Sequence, residues 1–291
     1  MNEKTLGILG GSGLYDLDGL SDRAEVEIDT PFGRPSDAIV TGRLYGVRCA
    51  FLPRHGRGHR LAPHELPFRA NLWAMKKLGM ECVLGVSAVG SLREGIAPGD
   101  LVIVDQFIDR TRARTQEATF FGRGCVAHAH FADPVWEPLR KLTLDAARAA
   151  SGATVHDGGT YVCMEGPHFS TRAESNLYRS WGAAVIGMTN LQEAKLAREA
   201  EIAYATIALA TDYDCWHETE ADVDVASVVR VLLANVEKAR RVIVEVCKRL
   251  TAMQERISCR GAMEHAILSS KTAISEDAKR RLALLIGQYL G

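Results

Sequence analysis

The chain has 291 residues, 47% of them apolar, and a formal net charge of −1. That length and apolar content suit one or two domains with a substantial core, and the near-neutral balance gives no electrostatic reason to expect nucleic acid or an anionic membrane surface as a partner. Seven scattered cysteines, none in a C-x-x-C pair, argue against a disulfide scaffold or a cysteine zinc site and for a reduced, cytoplasmic protein with buried thiols. No basic-then-apolar leader opens the sequence, and no apolar run is long enough to span a membrane.

Residues 5–9 read as a first buried strand, followed at once by Gly10-Gly-Ser-Gly13. The glycines permit positive φ and let backbone amides approach an anion, with Ser12 adding a hydroxyl. The spacing does not fit G-x-G-x-x-G. The turn suits a small phosphate site, or is only a tight turn. Residues 38–44 and 47–52 read as a hairpin about Tyr45-Gly46. Its second strand runs into Pro53-Arg54-His55-Gly56-Arg57-Gly58-His59-Arg60. Arg54 and His55 come directly off the strand end, where a loop of this kind clamps a phosphate, Arg in bidentate fashion, or is simply a solvated basic turn. Crowded arginines and the lack of a nearby carboxylate disfavour a metal site.

A helix is predicted over 67–78, with Ala70, Trp73, Ala74 and Leu78 on one face. A buried strand follows over 81–86, with the small residues Ser87-Ala88-Val89-Gly90-Ser91 at its end. Another strand covers 101–105. Residues 116–133 form a long, aromatic, poorly periodic loop that includes His128. A helix over 134–150 and a short strand over 160–163 come next. Thr171-Arg-Ala-Glu174 reads as a capping box, as does Asn190-Leu-Gln-Glu193 after a strand at 184–187. The second box sets Thr189 beside a helix N-terminus, a place suited to an anion. One long helix is predicted over 223–250, with Val225, Val228, Val229, Leu232 and Val236 as its stripe. Residues 251–291 form a tail with a last helix capped by Ser275.

The most informative stretch is Ala203-Tyr-Ala-Thr-Ile-Ala-Leu-Ala-Thr-Asp-Tyr-Asp214. Its apolar run predicts a strand buried on both faces. If the chain stays extended, Asp212 and Asp214 point the same way. Shared burial would raise at least one carboxyl pKa and make a proton donor. The alternative is a solvated loop in which Asp caps the next element. Strands alternating with helices predict an α/β sandwich. Candidate polar groups recur just after strand ends, where open α/β sheets bind ligands: Ser12, Arg54, Ser87, Met188 with Thr189, and Asp212. Hydroxyls, an Arg and a His suit an anion, and two acids suit a base-like group. A nucleoside plus phosphate meets both demands.

Six segments carry a family resemblance: Gly10-Gly-Ser-Gly13, Arg54-His55-Gly56, Ser87-Ala-Val-Gly90, Glu165-Gly-Pro-His-Phe169, Gly187-Met-Thr189 and Ala210-Thr-Asp-Tyr-Asp-Cys-Trp216. In order and spacing they resemble the methylthioadenosine phosphorylases, within the trimeric purine nucleoside phosphorylases. The resemblance covers about residues 5–250. It implies a single-domain α/β/α sandwich, a twisted mixed β-sheet flanked by helices. Residues 1–250 would be the nucleoside phosphorylase domain, and 251–291 a C-terminal helical extension packed on it or at an oligomer interface. The implied reaction is phosphorolysis of 5'-methylthioadenosine to adenine and 5-methylthioribose 1-phosphate, in methionine and purine salvage. Phosphate is a co-substrate, and no metal or organic cofactor is implied.

By resemblance, Ser12, Arg54, His55, Ser87 and Thr189 hold phosphate, with the Ala88 backbone nearby. Phe169 stacks on the purine and Met188 lies under the ribose. Asp212 and Asp214 face N7 and the 6-amino group as the catalytic acids. Val225, Val228 and a neighbouring subunit's His128 line the methylthio pocket. The implied partners are a small nucleoside and phosphate, with a homotrimer or dimer of trimers in the cytoplasm. The 6-oxopurine branch usually places Asn where Asp212 sits, so the acids argue for 6-aminopurines. Rival readings are a 6-oxopurine phosphorylase on the same fold and a catalytically silent nucleoside-binding protein.

Overall fold

The computed structural model describes residues 3–11, 13–217 and 225–290, with side chains throughout except at 225–230 and 232. The first strand, β1, spans Thr5–Gly10 and is buried along its whole length. Next come β2 (Ser21–Val26), β3 (Ile39–Leu44) and β4 (Val47–Pro53). The hairpin joining β3 and β4 turns on Tyr45 and Gly46 at φ 49° and 82°, the left-handed pair that a two-residue turn requires. Then follow α1 (Phe68–Lys77), β5 (Cys82–Ser91), β6 (Leu101–Ile103), β7 (Gln106–Arg110), α2 (Glu137–Ala150), β8 (Val155–Asp157) and β9 (Thr160–Met164). The chain continues with α3 (Arg172–Ser180), β10 (Val185–Gly187), α4 (Asn190–Glu199), β11 (Ala203–Asp212), α5 (Val225–Ala252) and α6 (Glu276–Leu290).

Eleven strands among the described residues form one mixed sheet. At its centre β4, β1, β5 and β11 run parallel, each paired with the next. Helices cover both faces, which is why β1 and β11 read as unbroken apolar runs. Leu6 and Ile8 of β1 pack with Leu139 of α2 and Val242, Ile243 and Val246 of α5. Leu9 points the other way, towards Phe68 and Leu72 of α1, Leu196 of α4 and Leu282 and Leu285 of α6. Each such buried Leu or Ile contributes about 1.5–3 kcal/mol of transfer free energy. The expected α/β/α sandwich with a mixed sheet is therefore the observed fold.

Residues after 251 are anchored by Glu201. This buried carboxylate accepts from the Gly261 and Met263 amides at 3.0 Å each, from Gln288 Nε2 at 3.0 Å and from the Tyr289 hydroxyl at 2.6 Å. The Ser275 hydroxyl accepts from the Ala278 amide at 3.2 Å, capping α6 as expected.

Three local expectations are corrected. The strand predicted to end at Val86 runs on to Ser91, so Ser87 and Ala88 lie inside β5. It continues because β11 pairs with it as far as Gly90, and β10 joins antiparallel at Gly90 and Ser91. Residues 190–193 form no capping box: Thr189 is the N-cap of α4, without a side-chain cap bond. The Glu193 carboxylate is instead drawn into the interior by Arg54. Nor is the chain extended through the acid pair, since β11 ends at Asp212 and Asp214 opens a 3-10 turn at φ 53°. Strands β2, β7 and β8 have no counterpart in the sequence reading. The first is mostly exposed and too polar to show an apolar pattern.

Candidate active site

The carboxyl ends of β1, β4, β5, β10 and β11 bring most of the predicted residues together. β1 pairs with β5 only through Gly85, and β10 takes over at Gly90. Between them the 86–89 edge of β5 has no strand neighbour on that side. Arg54, at the end of β4, reaches into this gap. Its guanidinium donates to Leu9 O at 2.9 Å, to Val86 O at 3.0 Å and to Glu193 Oε2 at 3.1 Å, with Nε on Glu193 Oε1. The bidentate partner of Arg54 is thus a carboxylate of the protein itself. Among the described residues, one NH1 proton stays uncommitted.

His55 stands beside it, half-buried and stacked on His59 at 4.3 Å. Its Nδ1 lies 2.8 Å from Leu61 O. A carbonyl only accepts, so Nδ1 carries the proton and Nε2 is an acceptor in the neutral ring. Burial, helped by the Arg54 charge and opposed by the Leu61 bond, lowers the His55 pKa to about 4. At neutral pH the ring is uncharged.

Ser87 is nearly buried, and Ala88 beside it is exposed. Thr189 is 3% exposed, and among the described residues its Oγ1 has no hydrogen-bond partner. A buried hydroxyl without a partner is costly unless a ligand satisfies it. Its amide points to the Tyr161 hydroxyl at 3.5 Å. That hydroxyl fits only because residue 187 is glycine: a Cβ there would lie 2.0 Å from it.

The acids sit in a turn held by Trp216, whose Nε1 donates to Ser91 O at 2.7 Å. Asp212 accepts from the Thr211 hydroxyl at 2.6 Å and from the Asp214 amide at 2.8 Å. Burial raises its pKa, partly opposed by those two bonds. Burial also raises Asp214, opposed by the neighbouring Ser175 and Ser170 hydroxyls and reinforced by the Asp212 charge. Asp214 Oδ2 is buried near those hydroxyls, without a hydrogen bond of full geometry among the described residues. The 165–171 segment closes on this turn through Cys215 Sγ and Ser170 O at 3.2 Å. Phe169 within it is 54% exposed. Half-buried Met188 packs over Gly166.

Ser12 and the side chains of Val225 and Val228 lie outside the described residues. His128 is described but not joined to the cluster. It is exposed, and its amide donates to Ala266 O at 2.8 Å in the tail. A separate cleft of about 740 Å³, lined by His130, Trp136, Arg140 and Arg198 among others, includes none of the predicted residues. Among the described residues, no group of three or more His, Cys, Asp or Glu is placed to hold a metal.

The sequence reading missed Glu193, Tyr161, Tyr204 and Arg114 as parts of the site. Arg114 is buried and binds Glu165 Oε1 at 2.8 Å, together with the carbonyls of Glu165 and Met188. It ties the Phe169 segment to Met188. Nothing in its local sequence signals that role.

The Phosphorylase superfamily model matches residues 5–248. An S-methyl-5'-thioadenosine phosphorylase from Geobacter sulfurreducens is 57% identical over 99% of this chain and 100% of its own. One from Gloeobacter violaceus is 54% identical over 98% and 95%. A crystal structure of a methylthioadenosine phosphorylase from an antarctic soil metagenomic library superimposes with a TM-score of 0.91 at 47% identity, covering 98% of this chain and 99% of that one. The Schistosoma mansoni methylthioadenosine phosphorylase in complex with adenine gives 0.81 at 34% identity, over 98% of each chain.

Proposed function

Since the chain belongs to the phosphorylase superfamily, among its S-methyl-5'-thioadenosine phosphorylases, we propose that the strand-end cluster is its active site. The reaction is phosphorolysis of 5'-methylthioadenosine to adenine and 5-methylthioribose 1-phosphate, a salvage step for methionine and purine. Phosphate is the co-substrate. The observation that carries the site assignment is the buried Thr189 hydroxyl, without a partner at the head of α4 beside the Arg54 gap.

In this reading Ser12, Arg54, His55, Ser87 and Thr189 receive phosphate, with the Ala88 backbone beside them. The neutral His55 accepts a hydrogen bond from a protonated phosphate oxygen. Phe169 stacks on the base and Met188 underlies the ribose. Cleavage of C1'–N9 leaves positive charge on the sugar ring and negative charge on the purine. Asp212, its pKa raised by burial, donates to N7 and makes adenine a better leaving group. Asp214 Oδ2 accepts from the 6-amino group. Phosphate held below C1' stabilises the cationic ring and then attacks it, so positioning contributes alongside acid catalysis. Val225, Val228 and the His128 of a neighbouring subunit enclose the methylthio group in a cytoplasmic homotrimer or dimer of trimers. No metal or organic cofactor takes part.

The test is adenine release from methylthioadenosine with and without phosphate, each with a chelator present. Release that requires phosphate and survives chelation is the expected result. Equal release without phosphate would identify a hydrolase and overturn the phosphate-site reading.

A further inference from the structure

Arg54 and Glu193 form an ion pair with side chains only 4% and 2% exposed. Four of the five guanidinium N–H groups are committed: two to Glu193, one to Leu9 O and one to Val86 O. Glu193 is fixed in turn. It accepts from the Tyr204 hydroxyl at 2.8 Å and from Asn190 Nδ2 at 3.1 Å, and Tyr204 accepts from Thr206 at 2.8 Å. The network occupies space that only glycine leaves free. A Cβ at Gly85 would lie 2.1 Å from the Tyr204 hydroxyl, 2.6 Å from Asn190 Nδ2 and 2.9 Å from Glu193 Oε2.

A buried ion pair is a poor device for stability alone, because desolvating both charges offsets their attraction. What this pair supplies is direction. One guanidinium ties the end of β1 and the middle of β5, next to Ser87, to the first turn of α4, the elements that carry the glycine turn, Ser87 and Thr189. The pair is also formally neutral, so an anion here meets oriented donors and not a net positive charge.

We propose that Glu193 is the positioning residue of the phosphate site, holding Arg54 so that the one N–H left uncommitted among the described residues converges with the Thr189 hydroxyl on phosphate. This rests on the phosphate-site reading above. It gives Glu193 a role through Arg54, with no contact to substrate.

The experiment is steady-state kinetics of Glu193→Gln with each substrate varied in turn. A purely structural lesion would disturb both substrates. Loss of a positioning residue should raise the KM for phosphate by about tenfold or more, within the hundredfold that a misplaced group can cost. The KM for methylthioadenosine should stay within about twofold, the scale of a weak indirect effect. Glu193→Asp, which keeps the charge on a shorter stem, should fall between. An unchanged phosphate KM overturns the proposal. So does a lowered one, the result if Glu193 merely screened the Arg54 charge, and so does an equal rise in both constants. Should Glu193→Gln not fold, Tyr204→Phe removes one hydroxyl from the same shell and should raise the phosphate KM by about two- to fivefold, the worth of a hydrogen bond; no rise overturns the proposal equally. Thr189→Ala separates the two levels. If it leaves the phosphate KM unchanged, the phosphate-site reading fails. If it raises that KM while Glu193→Gln does not, only the positioning role fails.

Discussion

The backbone N–H of Asp214 donates to Oδ1 of Asp212 at 2.8 Å, so the two acids are coupled through a tight turn. Both oxygens of Asp212 already accept a well-formed bond, whereas Asp214 Oδ2, near the Ser170 and Ser175 hydroxyls, has none of full geometry among the described residues. The two carboxyls therefore differ in what they can offer a purine. Asp214→Asn should weaken the preference for 6-amino over 6-oxo purines by roughly tenfold, because an amide can donate where a carboxylate repels. An unchanged ratio of adenosine to inosine analogues would refute this assignment of Asp214.

Asp212→Asn removes the proposed proton donor and should lower turnover by about 10²–10⁴-fold. Because burial raises the Asp212 pKa, its protonated form persists above the usual carboxylate range. Turnover should then fall as pH rises through that raised value, and the fall should be missing in Asp212→Asn. Parallel pH profiles for the two enzymes would count against the donor role.

Phosphate binding should show no titration from His55 near its ordinary pKa of about 6.5. Its pKa of about 4 keeps the ring neutral over the working range. As a base with a depressed folded pKa, it contributes stability that is present above about 6.5 and lost as pH falls towards 4. The ratio of phosphate KM values for wild type and His55→Asn should be flat between about pH 5.5 and about pH 8. A step near 6.5 would show that His55 binds phosphate as a cation.

Glu199 offers a pH test of stability away from the reaction. It accepts from the Thr119 hydroxyl at 2.6 Å and the Phe120 amide at 2.7 Å, anchoring the long loop that leads to His128. Burial outweighs those bonds and raises its pKa to about 7. An acid with a raised folded pKa contributes stability that is full below its unfolded value of about 4.3 and lost as pH rises to about 7, at most about 4 kcal/mol. Glu199→Gln should flatten that slope and melt a few degrees higher than wild type at about pH 8. Identical slopes would rule out a buried, titrating Glu199.

His128 is expected to complete the site of a neighbouring subunit. Its amide is tied to Ala266 in the tail, and its ring is exposed on the loop of its own subunit. Mixing His128→Ala with Asp212→Ala subunits should restore activity, since roughly a quarter of interfaces in a random ring would join two intact residues. Loss in His128→Ala without rescue on mixing would place the histidine in its own subunit's site.

The buried strands were legible because β1 and β11 are covered on both faces and so cannot alternate with polar residues. Arg54, His55, Thr189 and Asp212 could be found because each stands at or beside a strand end. Strand β2 could not, since its exposed residues are held only by pairing with β3.

The two capping patterns show where sequence stops deciding. Thr171 to Glu174 and Asn190 to Glu193 look alike as text. Glu174 is exposed, so its carboxylate returns to the Thr171 amide at 2.8 Å and the box forms. Glu193 faces the interior, where folding delivers the Arg54 guanidinium from 139 residues away. A buried carboxylate must be paired, and its partner is whichever cation the fold brings. Local pattern therefore determined the strands, their ends and most of the acids, bases and hydroxyls placed there. Only the tertiary structure decided which of those groups are already committed to one another and which, like the Thr189 hydroxyl, remain open to a ligand.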